Sequence, residues 1–213
     1  MSAATQRPLL IATTNAGKIR EFREMLGADR FAWSDLSSRG ASVESPEETG
    51  RTFRANACLK AMHYAKALSV AAVADDSGLE VDALSGGPGV VSARWAELHD
   101  AGKGDQANNA LLLKQLRGVP AEQRTARFVC VLALSDAHGR ILMTVRDTVE
   151  GSIGFEPRGA NGFGYDPLFI ITAKGQTTAE LSPAAKHEIS HRGRALRRLR
   201  ELMCLETVEK AVG

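Results

Sequence analysis

Four stretches of this sequence combine residue types whose spacing can do chemistry. The first is Thr13-Thr14-Asn15-Ala16-Gly17-Lys18, set between an apolar run and an amphipathic one. If those runs are a strand and a helix, the loop offers free N–H groups at a helix start with a lysine beside them, a combination that attracts phosphate. The GxxxxGK[ST] spacing of a Walker A loop is missing, and the plainer reading is a strand-to-helix turn with a solvated lysine. The second stretch is acidic, with Glu47 and Glu48 ahead of a helical segment and Asp75-Asp76-Ser77-Gly78 after a buried apolar run. Adjacent carboxylates at the end of a strand suit a hard cation, and Mg²⁺ needs only one or two of them when phosphate oxygens and water complete its shell. A carboxylate in such a place can also accept a proton from an attacking water. The competing reading is that Asp-Asp-Ser-Gly is simply a good turn sequence.

The third stretch is Gly162-Phe163-Gly164-Tyr165-Asp166-Pro167. Its glycines permit close backbone approach, its two aromatic rings can stack on a flat heterocycle, and Asp166 can accept from that ring's N–H groups. Alternatively it is a glycine hairpin whose aromatics belong to the core. The fourth lies near the C-terminus, where Lys186, His187, His191 and Arg192 are followed by Arg194, Arg197, Arg198 and Arg200. An arginine-rich helix is ordinarily a solvated face. His187-Glu188-Ile189-Ser190-His191 formally matches H-E-x-x-H, which sets two zinc ligands on one helical face. The metzincin continuation is absent, and Gly193 falls too early for it. Glu206 or Glu209 would reach the zinc only if the chain turned back, whereas the segment reads as a continuing helix.

The elements that must carry these stretches follow from hydrophobic periodicity. Residues 8–12 read as a buried strand, and residues 18–26 as a helix with Ile19, Phe22, Met25 and Leu26 on one side. A longer helix is predicted over 49–68, with Phe53, Ala57, Ala61, Tyr64 and Leu68 as its inner stripe. A strand over 70–74 should end at the two aspartates, and 79–81 should form another short one. Asp105 should cap a helix reaching residue 116. Residues 127–134 and 141–149 read as paired strands joined at Asp136-Ala137-His138-Gly139, and 167–171 as extended. Ser182-Pro183 is an N-cap with proline at the first helical position. The last helix places Ala195, Leu196, Leu199, Leu202 and Met203 on one face. This order predicts an α/β protein with a mixed sheet.

Composition narrows the function classes. With 213 residues, the chain suits one large domain or two small lobes sharing a core. The formal net charge of +2 excludes a polybasic nucleic-acid binder, so any anion attraction must be local. No run approaches the roughly 18 apolar residues of a membrane span. The three cysteines lack CxxC spacing and fit reduced thiols. The expectation is a soluble cytoplasmic protein without nucleic-acid or membrane partners.

Taken together and in order, the motifs resemble those of the non-canonical purine nucleoside triphosphate pyrophosphatases, also called inosine triphosphate pyrophosphatases. The matching stretches run from Ile11-Ala12-Thr13-Thr14-Asn15-Ala16-Gly17-Lys18 through Pro46-Glu47-Glu48-Thr49-Gly50 and Ala74-Asp75-Asp76-Ser77-Gly78-Leu79. They continue with Pro88-Gly89-Val90-Val91-Ser92-Ala93-Arg94 and Gly162-Phe163-Gly164-Tyr165-Asp166-Pro167, then Ala179-Glu180-Leu181 and Ile189-Ser190-His191-Arg192-Gly193. One departure is Thr14, where many members carry glycine. The related Maf-type pyrophosphatases have an arginine-rich opening after the first strand that is missing here. A silent nucleotide-sensing or RNA-binding module would have no use for Glu47, Asp75 and Asp76 in an anion site.

The resemblance implies one pyrophosphatase domain over residues 1–213, with a long curved mixed sheet flanked by helices and two lobes about an active cleft. It also implies a homodimer and a purine nucleoside triphosphate as substrate: ITP, dITP or XTP. Thr13, Thr14, Asn15, Ala16, Gly17 and Lys18 would then hold the triphosphate. Glu47 and Asp76 would coordinate Mg²⁺, with Asp76 also the proton acceptor. Ser77, Phe163, Gly164, Tyr165, Asp166, Lys186, His191 and Arg192 would contact substrate.

Overall fold

The structure is a computed structural model and describes residues 6–26, 31–39 and 43–204. Seven strands form one mixed sheet in the order β2-β1-β3-β4-β5-β6-β7. They are β1 (Arg7–Ile11), β2 (Phe31–Asp35), β3 (Ala72–Val81), β4 (Thr125–Ser135), β5 (Ile141–Ile153), β6 (Phe169–Ile171) and β7 (Gln176–Thr177). β1 lies parallel to β2 and to β3, whereas β5, β6 and β7 pair antiparallel in succession. The helices are α1 (Ala16–Met25), α2 (Phe53–Leu68), α3 (Gly104–Gln115), α4 (Pro183–Ile189) and α5 (His191–Met203). The mixed sheet is the one the element order predicts.

The chain divides into two compact units. One comprises Met1–Asp76, Val131–Arg146 and Ala195–Gly213; the other comprises Ser77–Cys130 and Asp147–Arg194. In the first, Leu9, Leu10 and Ile11 of β1, Phe22 of α1, and Ala57, Ala61 and Tyr64 of α2 are buried, as are Leu196 and Leu199 of α5. The predicted stripes of α2 and α5 are therefore inward, with Leu68 and Leu202 only partly covered. In the second, Leu79, Leu112, Leu116, Phe128, Val149, Phe169 and Leu181 form a contiguous core. Phe128 and Phe169 pack with ring centroids 4.5 Å apart.

Several elements differ from the sequence reading. β2 was not anticipated, because Phe-Ala-Trp-Ser-Asp is too short and irregular to signal a strand without its partner β1. α2 starts at Phe53 rather than at residue 49, because Thr52 caps it by accepting from Ala55 N at 3.1 Å. β3 does not stop at Asp75 but runs unbroken to Val81. Asp105 is not a helix cap: it lies in the first turn of α3, behind Lys103 at the N-cap, and its carboxylate accepts from Gly164 N at 2.6 Å. Glu206 and Glu209 lie outside the described residues.

β2 ends in a buried carboxylate with three donors. Asp35 accepts from Ser37 Oγ at 2.5 Å and from Ser38 N at 3.0 Å, and it pairs with Arg23. The Ser37 hydroxyl holds its carboxyl below the usual value of 3.8; burial opposes this, and Ser38 and Arg23 add to the lowering. A depressed folded value means the stabilisation is present above 3.8 and is lost as pH falls through the lower, folded value. Asp35→Ala is therefore expected to cost about 1–3 kcal/mol at pH 7. In thermal melts from pH 7 down to pH 2, the Tm gap to wild type should narrow; a gap that stays constant would show that the charge is not involved.

Candidate functional site

In the first unit the site is built on β1, α1, α2 and β3. Asn15 has extended backbone angles and caps α1, its Oδ1 accepting from Lys18 N at 3.0 Å. Thr13 Oγ1 accepts from Asn15 N at 3.2 Å. The loop is thus folded on itself, and the first N–H groups of a ten-residue helix are left without intrahelical partners. Thr14, Asn15 and Ala16 are exposed, while Gly17 and Lys18 are half-buried. Lys18 Nζ reaches back to the buried Asp75 carboxylate.

Asp75 and Asp76 sit inside β3, where successive side chains point to opposite faces. The turn reading of Asp-Asp-Ser-Gly therefore fails, and each carboxylate has its own lysine. Lys60, on the buried side of α2, stands 2.7 Å from Asp76 Oδ1 and 3.2 Å from Glu48 Oε1. Burial alone would lower the Lys60 value, but Asp76 and then Glu48 outweigh it and hold the amine protonated above its usual range. Burial also pushes Asp76 above the usual carboxylate value, against the pull of Lys60 and Lys18. Its Oδ2 atom is buried and has no hydrogen-bond partner among the described residues. An unsatisfied buried carboxylate oxygen is costly, and a bound cation or a water proton would relieve it.

Lys60 did not stand out in the sequence. The signal was its place three residues after Ala57 and four before Tyr64, a cation at the margin of an inward stripe. Of the glutamates before α2, Glu48 joins Lys60, whereas Glu47 is exposed. No three His, Cys, Asp or Glu side chains converge as a metal cage among the described residues.

In the second unit a separate group forms around residues 163–166. Asp166 is buried, its Oδ2 accepting from Phe163 N at 2.8 Å and Lys186 Nζ at 2.6 Å, its Oδ1 from Thr178 Oγ1 at 2.8 Å. Its carboxylate thus closes the loop. A Cβ at Gly162 (φ +80°) would overlap that carboxylate, so only glycine fits there. Tyr165 is in the core and donates its hydroxyl to Ser92 O at 2.9 Å, which leaves half-buried Phe163 as the accessible ring of the pair. Lys186 Nζ lies 5.1 Å and Arg192 Cζ 5.5 Å from the Phe163 centroid. Arg192 also donates to Ser77 Oγ at 2.7 Å, and the His191 ring stacks on Phe128 at 4.8 Å and 15°.

The H-E-x-x-H match dissolves in this geometry. α4 ends at Ile189 and Ser190 is extended (φ −69°, ψ 156°), so His187 and His191 belong to two helices. A Cβ at Gly193 would overlap the His187 carbonyl, which keeps the corner tight.

The mixed sheet carries two lysine-paired carboxylates in the interior of one strand, so this α/β protein has a polar group built into the sheet itself. A profile of the Ham1 family matches residues 9–202, and the chain belongs to that family. A dITP/XTP pyrophosphatase of Exiguobacterium sibiricum is 53% identical over 191 residues, covering 90% of this chain and 94% of that one. The dITP/XTP pyrophosphatase of Bacillus subtilis is 48% identical over 194 residues, covering 91% and 96%. The structure of a HAM1 protein from Coxiella burnetii superposes with a TM-score of 0.82 at 38% identity, over 93% of this chain and 98% of that one. Among the described residues no helix is long and apolar enough to cross a membrane.

Proposed function

We propose that this protein hydrolyses non-canonical purine nucleoside triphosphates (ITP, dITP and XTP) to the monophosphate and pyrophosphate, in the cytoplasm, as a homodimer dependent on Mg²⁺. The relatives named dITP/XTP pyrophosphatase support the substrate class. The observation that carries the chemistry is the buried Asp76 carboxylate, with Lys60 on one oxygen and the other oxygen unpartnered. Asp76 Oδ2 accepts the proton of the water that attacks the α-phosphorus. Lys18 and the N-terminal N–H groups of α1 balance charge on the phosphate oxygens. Glu47 and Asp76 would hold Mg²⁺, which would supply charge neutralisation for the phosphate oxygens. Phe163 provides the stacking face for the base, with Lys186 and Arg192 beside it.

Pyrophosphate release from ITP, XTP, dITP, GTP, ATP and UTP with Mg²⁺ tests the reading. The first three are expected to be the preferred substrates, and equal rates on ATP would reject it. A zinc-selective chelator in excess Mg²⁺ should leave these rates unchanged. Activity lost to the chelator and restored by Zn²⁺ would overturn the Mg²⁺ reading.

A further inference from the structure

α3 carries two polar side chains that the proposed chemistry does not use. Asp105 and Asn109 are four residues apart, so they project from one face of the helix, one turn from each other. Both are spent on a single residue of the 163–166 loop. Asp105 Oδ2 accepts from Gly164 N at 2.6 Å, and Asn109 Nδ2 donates to Gly164 O at 3.0 Å. These groups belong to the two successive peptide units that meet at the Gly164 Cα. Glycine is the freest pivot a backbone has, and here it holds φ +62° with nothing within 4 Å of the place a Cβ would take. Space does not fix this pivot; the two hydrogen bonds do, beside the Asp166 carboxylate that holds Phe163 N at 2.8 Å.

The clamp is itself firmly mounted. Leu112 and Leu116, at and just beyond the end of α3, are fully buried. Asn108 ties the helix to the 3-10 segment Gly89–Arg94 and its following turn, donating to Ala93 O at 3.1 Å and accepting from Ala96 N at 2.8 Å. That same segment supplies the Ser92 carbonyl that receives the Tyr165 hydroxyl. Asn109 keeps its own carbonyl oxygen buried and unpaired among the described residues, which weakens the fold.

We infer that Asp105 and Asn109 are positioning residues that set base selectivity, by locking the Gly164 pivot and with it the direction of the Phe163 ring. The inference rests on the reading of Phe163 as the base-stacking ring. With either clamp removed, the ring samples several directions, so a base that fits the locked loop loses its advantage over one that does not.

The test compares kcat and KM for ITP and ATP, with Tm, in wild type, Asn109→Leu, Asp105→Leu and Asp105→Asn. Asn109→Leu removes the clamp and the unpaired oxygen together, so its Tm should hold or rise. Its KM for ITP should rise about tenfold, far more than kcat changes, and the ITP/ATP ratio of kcat/KM should fall by a similar factor. Asp105→Leu should behave alike, while Asp105→Asn, which keeps an acceptor oxygen, should recover most of the selectivity. Parallel losses on both substrates with a lowered Tm would make the pair merely structural and overturn the inference. A wild-type preference for ITP with an unchanged ratio in the variants would overturn it alone. A wild type without that preference would overturn the proposed function as well.

Discussion

Asp76→Asn is expected to lower kcat on ITP by about 10²–10⁴-fold while leaving the fold intact. Asparagine keeps the shape of the side chain and an oxygen for Lys60, but it cannot take up a proton at the position of Oδ2. Burial already holds the Asp76 carboxyl above its usual range, so a neutral group is no harder to bury there. Tm should therefore change little, and Lys60 keeps Glu48 as a partner. Asp75→Asn removes the charge that faces Lys18 but keeps an oxygen for it, and should cost less, because Lys18 remains near the loop it serves. Turnover of Asp76→Asn near the wild-type rate would sink the assignment of the base.

Arg192→Ala is expected to collapse the preference for ITP over ATP. Arg192 is 2% exposed, and its guanidinium is anchored to Ser77 Oγ and lies 5.5 Å from the Phe163 ring that would stack the base. Hypoxanthine presents a 6-oxo acceptor that an arginine can meet, whereas adenine presents a 6-amino donor. Losing one hydrogen bond to a charged group is worth about 1.5–3 kcal/mol, or roughly 10- to 150-fold in kcat/KM for ITP. ATP never makes that bond, so its lower value should change little. Equal losses on ITP and ATP at one ionic strength would move Arg192 to the phosphate side of the reaction.

What the sequence revealed and what it hid follow from the range of the forces involved. Local signals were readable: the Ser182-Pro183 start of α4, the apolar faces of α1 and α5, and the turn between β4 and β5 depend on residues a few places apart. β2 was hidden because a five-residue strand is stabilised by its pairing with β1, which no local pattern records. Asp75-Asp76-Ser77-Gly78 has the composition of a turn, yet β3 continues through it because lysines from α1 and α2 neutralise its carboxylates. The pairing of Lys60 with Asp76 spans 16 residues and required the fold. The partners of Tyr165 and Asp105 were hidden for one reason: a tyrosine in a glycine loop and an aspartate at a helix start have strong local roles. Here partners 73 and 59 residues away claim them instead.

The break at Ser190 has a consequence in angular terms. On one unbroken α-helix, six residues turn the side-chain direction by about 600°, so positions 186 and 192 would point about 120° apart, toward different faces. The extended Ser190 resets that count, and the second axis begins at His191. Lys186 and Arg192 can therefore approach one Phe163 ring, at 5.1 and 5.5 Å. The corner is possible because position 193 has no Cβ to strike the His187 carbonyl. A sequence that kept every charged residue of this segment but healed the helix would retain the composition of the site and lose its convergence.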